Sequence, residues 1–90
     1  MARAEADALR ALLPVLRQLR ELKGVKEIRP GVFHARRDAF IHFHDDGGAL
    51  FADLKKPGGS GFDRFALATA VEQRKFVEEA TLRARRFDED

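Results

Sequence analysis

The hydrophobic period of this chain switches from helical to alternating near residue 30, and that switch limits the folds open to it. Leu9, Leu12, Leu13, Leu16 and Leu19 recur at intervals of three and four, with Leu22 one turn further on. Such spacing lines one face of an amphipathic helix. Gly24 suits the residue that closes such a helix in a left-handed conformation. Pro14 lacks the N–H that would bond Arg10, so the helix either kinks or starts there. The leucine stripe runs through Pro14, which favours a kink. From residue 33 the period becomes two. Phe33 and Ala35, then Ile41 and Phe43, alternate with His34, His42 and His44, and Leu50, Ala52 and Leu54 continue the pattern. Alternation of this kind makes half-buried strands.

Turn chemistry divides the alternating region. Arg-Pro-Gly at 29–31 and Arg-Arg-Asp at 36–38 are turn signals, and Asp46-Gly47 suits the two central positions of a type I′ hairpin turn. Centring the second hairpin there places Phe43 opposite Leu50 and Ile41 opposite Ala52. A three-residue loop at 36–38 places Ala35 opposite Ala39 and Phe33 opposite Ile41, and so keeps apolar faces together. Pro57-Gly58-Gly59-Ser60-Gly61 reads as a flexible loop, followed by a short strand with Phe65 and Leu67 facing inward. Thr69 and Glu72 form a capping-box pattern. The helix it opens carries Phe76, Val77, Ala80, Ala84 and Phe87 on one face and ends in acidic residues that oppose its dipole. The expected fold is α+β: a single domain over residues 1–90, in two layers. An antiparallel meander of three or four strands packs against an N-terminal and a C-terminal helix, which lie on Phe33, Ile41, Phe43, Leu50 and Leu54.

Composition narrows the chemistry. The 90 residues contain no cysteine, which excludes disulfides, thiolate metal sites and cysteine nucleophiles. No apolar run approaches the roughly 20 residues of a membrane span, and the start of the chain shows no signal-peptide pattern, so a cytoplasmic protein is expected. Residues 1–45 carry nine basic and six acidic side chains, and residues 46–90 carry eight and nine. That balance argues against a dedicated nucleic-acid binder.

The same register defines a second sheet face. It sets His34 opposite Phe40, His42 between Val32 and Phe51, Phe40 opposite Asp53, and His44 opposite Ala49. Histidines at i and i+2 on a strand point the same way, so His42 and His44 can grip one ion, with His34 or Asp53 as a third ligand. A His and carboxylate set without sulfur suits Zn²⁺, Mn²⁺, Fe²⁺ or Ni²⁺. Equally, Phe40, Phe51, His42 and His44 form a candidate interface, because aromatic rings on an otherwise polar face favour a partner or a second copy of the chain. Ser60 lacks the strand–turn–helix setting of a nucleophile elbow. The loop at 57–61 runs into a strand and lacks the ending of a P-loop. Arg74, Lys75, Arg83, Arg85 and Arg86 on the last helix alternate with Glu72, Glu78 and Glu79, as on a solvated face.

Residues 9–57 resemble small bacterial proteins of the luciferase-domain family. The resemblance is carried by Leu22-Lys-Gly-Val, by Gly31-Val-Phe-His-Ala-Arg-Arg, by Phe40-Ile-His-Phe-His-Asp-Asp-Gly-Gly and by Leu50-Phe-Ala-Asp-Leu. It implies a leucine-rich helix followed by strands, with no assigned catalytic machinery to carry onto His42 and His44. The residues after 57 depart from that pattern. Taken together, the sequence points first to a non-enzymatic interaction module, a homo-oligomer or the partner of another protein, that associates through the His/Phe face and needs no cofactor. The second reading is a metal-binding protein or metal-dependent enzyme, and the third a weak nucleic-acid binder.

Overall fold

The computed structural model describes residues 2–3, 6–58 and 60–89, so Gly59 of the expected loop and Asp90 of the acidic end lie outside the described residues. The α+β architecture is as expected. Strands β2 (Val25–Arg29), β3 (Val32–Ala35), β4 (Asp38–Asp46), β5 (Ala49–Lys55) and β6 (Phe62–Ala66) form an antiparallel meander in that order. A short β1 (Ala2–Arg3) also pairs with β4, at His44 and Asp45. Helices α1 (Ala6–Ala11), α2 (Leu13–Arg20) and α3 (Ala70–Glu89) complete the fold. The meander has five strands because Val25–Arg29, which the alternation from residue 33 does not include, pairs with β3.

Pro14 does more than kink the first helix. The chain breaks at Leu12, and Pro14 sits in the first turn of α2, where its missing N–H costs nothing. The stripe nevertheless stays on one side, with Leu9, Leu12, Val15, Leu16 and Leu19 all buried. Glu21 and Leu22 tighten the end of α2 by donating to the carbonyls of Gln18 and Leu19, and Gly24 turns the chain at φ 81°. Helix α3 opens with the expected capping box. Thr69 Oγ1 accepts from the Glu72 N–H at 3.1 Å, and Glu72 Oε1 accepts from the N–H groups of Ala68 and Thr69. The helix runs to Glu89 through Asp88 despite the unfavourable dipole at that end.

Both helical segments lie on the face carrying Phe33, Ile41, Phe43, Ala52 and Leu54, where Phe76, Ala80 and Ala84 of α3 join the leucines of α1 and α2. Arg83 is buried among them, contrary to a solvated helix face. Its guanidinium donates to Glu79 at 2.7 Å and to the carbonyl of Lys55 at 3.1 Å, and pairs with Asp63 at 3.0 Å. It thereby ties α3 to the end of β5 and to β6. Of the five basic residues expected on that face, Arg74, Lys75, Arg85 and Arg86 remain exposed.

Two register corrections follow from turn geometry. The second hairpin turns on Gly47-Gly48, at φ 61° and 95°, so Asp46 pairs with Ala49, Phe43 with Ala52 and Ile41 with Leu54. Two glycines take positive φ without the steric cost Asp46 would meet, and Asp45 Oδ1 accepts the Gly48 N–H at 2.8 Å. The first hairpin turns on Arg36-Arg37, both at positive φ, with Ala35 opposite Asp38 and His34 opposite Ala39. Phe33 still faces Ile41, because Phe40 is the extra residue of a β-bulge.

The β2–β3 turn locks against the first helix. Gly31 is at φ 76°, and a Cβ there would lie 2.7 Å from Leu9 Cδ2. Glu27 accepts from the Gly31 N–H at 3.1 Å and from Arg20 Nε and Nη2 at 2.6 and 3.2 Å. The hydrogen bond from Arg20 holds the Glu27 carboxyl below the usual range, against the opposing effect of burial. Its stabilisation is therefore present above the unfolded pKa, near 4.3, and is lost as the pH falls through the lower folded value. Glu27→Gln is expected to cost about 1 kcal/mol at pH 7, and urea unfolding should show the difference from the parent shrinking below about pH 4.

Candidate metal centre

The face of the sheet away from the helices carries His42 and His44 of β4, Phe51 and Asp53 of β5, and Phe62 and Arg64 of β6. Pairing sets His42 between Val32 and Asp53, His44 opposite Phe51, and Asp53 opposite Arg64. The corrected hairpin shifts the β4–β5 pairing by two residues. This preserves which face each side chain takes but moves Asp53 from Phe40 to His42.

Three donor atoms converge there. His42 Nδ1 lies 2.9 Å from His44 Nε2, which lies 2.8 Å from Asp53 Oδ2, and His42 Nδ1 is 3.8 Å from the same oxygen. A point equidistant from the three lies about 1.9 Å from each, close to the 2.0–2.2 Å that zinc keeps from imidazole nitrogen and carboxylate oxygen. Protons satisfy this arrangement poorly. One ring nitrogen carries at most one proton, so His44 Nε2 cannot give a full hydrogen bond to two neighbours that it sees about 84° apart. The other nitrogen, Nδ1, is buried with no hydrogen-bond partner among the described residues. That state costs about 1–3 kcal/mol in either tautomer.

Arg64 fixes the carboxylate, donating from Nε to Oδ1 at 2.9 Å and from Nη2 to Oδ2 at 3.1 Å. Burial pushes the Asp53 carboxyl up, but the Arg64 hydrogen bonds and the charges of His44, Arg64 and His42 outweigh it, and the group is held below the usual carboxylate range. It is thus an anion ready to ligate. Around the donors, the Phe62 ring packs on the His42 ring at 4.7 Å, and the Arg64 guanidinium lies over the Phe51 ring at 5.6 Å. The His42, His44 and Asp53 side chains are 19%, 15% and 13% exposed, so the cluster is partly covered yet reachable from solvent.

Of the expected ligands, His42, His44 and Asp53 come together. His34, two residues before the first hairpin turn, faces Ala39 and Lys26 and lies outside the cluster. Of the expected interface residues, His42, His44 and Phe51 lie on this face, but Phe40 does not. The bulge turns Phe40 into the core, where it is fully buried and meets Phe87 edge to face at 5.4 Å. Arg64 and Phe62 were not singled out from the sequence, although the alternation of Phe62 and Arg64 with Asp63 and Phe65 marks one side of a strand. Comparison with protein families, with characterised proteins and with solved structures found no match. Among the described residues, no helix is long and apolar enough to cross a membrane.

The corrected placement separates two phenylalanines that the sequence had paired. Phe40→Ala is expected to cost about 3–5 kcal/mol in chemical denaturation, as for a buried ring, whereas Phe51→Ala should cost less than half as much.

Proposed function

We propose that this chain is a metal-binding domain holding one divalent transition ion on its open sheet face through His42 Nδ1, His44 Nε2 and Asp53 Oδ2. The observation that carries this reading is the convergence of three donors at spacings that suit one small ion better than one proton. The bidentate hold of Arg64 on Asp53 is the kind of outer support that ligating carboxylates receive. Two imidazoles and one carboxylate make a borderline donor set, suited to Zn²⁺, Fe²⁺, Mn²⁺ or Ni²⁺. Three protein ligands also leave a four-coordinate ion one position for an outside ligand, as in catalytic rather than closed structural zinc sites. Zn²⁺ added to the full chain should shift the His42, His44 and Asp53 NMR signals together, saturating at one equivalent. His42→Ala should weaken binding by about 100-fold or more while leaving the fold intact by circular dichroism. Weak, non-saturating shifts confined to the histidines would defeat the reading.

A second reading, self-association through the same face, is favoured by Phe62, which is 37% exposed on the side the helices leave uncovered. Light scattering should then give a dimer mass that Phe51→Asp with Phe62→Asp reduces to the monomer. A monomer in the parent chain would end this reading.

A further inference from the structure

We infer that the remaining coordination position of the His42–His44–Asp53 centre takes a small monocarboxylate with an apolar body, an inference that rests on the metal reading above. Charge selects the head group. The protein donors supply a single negative charge, on Asp53, against the two positive charges of the ion, and Arg64 already offsets that carboxylate through two hydrogen bonds. Among the described residues, Asp46 also acts on Arg64, and more weakly than Asp53 does. Ion, Asp53, Arg64 and Asp46 together leave a positive charge, which favours an anion at the open position.

Geometry gives that anion a second contact. Arg64 Nη2 touches Asp53 Oδ2, the oxygen that faces both imidazoles, so the guanidinium borders the ion's position. Its two bonds to Asp53 use two of five N–H donors, and its side chain is 43% exposed. A carboxylate can place one oxygen on the ion and turn the other toward these donors. The surroundings select the body. Phe62 lies against His42 and is open to solvent, Phe51 lies beneath Arg64, and half-buried Val32 faces His42 from β3. An acid carrying a ring or short chain covers these groups, whereas acetate leaves them wet.

The test uses the full chain and Co²⁺, whose visible absorption reports its ligands. One equivalent of Co²⁺ should give a saturating spectrum. Benzoate should then change that spectrum and shift the Phe62 ring signals, binding roughly tenfold more tightly than acetate, with benzyl alcohol and inorganic phosphate weaker than benzoate. In Phe62→Ser, the preference for benzoate over acetate, measured on that variant's own Co²⁺ form, should fall to about one. A saturating Co²⁺ spectrum with no response to benzoate, or with equal affinity for acetate, benzyl alcohol or phosphate, overturns this inference alone. No saturating Co²⁺ spectrum overturns the metal reading and this inference with it.

Discussion

The register of β4 against its two neighbours is the constraint on which the rest of this structure depends. β4 is the central strand, hydrogen-bonded to β3 and β1 on one side and to β5 on the other. Two local devices set it. The bulge at Phe40 lets a two-residue turn on Arg36-Arg37 coexist with the pairing of Phe33 and Ile41. It also gives β4 two consecutive core residues, Phe40 and Ile41. The Gly47-Gly48 turn then sets β5 so that Asp53 faces His42. A turn displaced by one residue would leave the core face apolar and still take Asp53 away from the imidazoles, because such a displacement moves the pairing by two and preserves the faces. Core burial alone therefore cannot specify this centre.

Charge is distributed unevenly between the two sides of the sheet. On the helical side, two charged groups near the core are held by fixed partners: Glu27 by Arg20 and Gly31, and Arg83 by Glu79, Asp63 and two carbonyls at the end of β5. Such groups brace the fold, since a partly buried ion without partners would be costly. On the open side, Asp53 is held by Arg64 yet keeps one oxygen turned toward two ring nitrogens, where a carboxylate still has acceptor capacity. A brace and a candidate binding site differ here in whether the acceptor capacity is used up.

Much of the fold was legible in the residues, and the exceptions have local causes. Leucine spacing located the first helix, alternation located three strands, and Thr69 with Glu72 located the start of α3. Strand β2 escaped notice because Val25–Arg29 carries three charged side chains in five residues and lies at the sheet edge, so its apolar period is faint. Phe40 was assigned to the wrong face because strict alternation has no place for a bulge. Arg83 read as a surface residue because its partners are backbone carbonyls and an aspartate from other elements, which leave no mark on the helix's own period. Asp53 was grouped with the histidines from a register that would have placed it opposite Phe40; it does lie beside His42 and His44, but through a different pairing.

What the sequence determined by itself was local: most of the helical and extended segments, roughly where the chain turns, and which side chains share a face where alternation is unbroken. These follow from backbone sterics and from the two hydrophobic periods, both of which act over a few residues. The tertiary structure decided which residues on different strands meet. His42 and His44 share a face by their spacing alone, but Asp53 and Arg64 reach them only through two hairpins, one turning on a glycine pair and the other closing a longer loop. The physical reason is that a strand keeps its faces under a shift of two residues while its neighbours change, so only the packed sheet selects one register from several with the same apolar side.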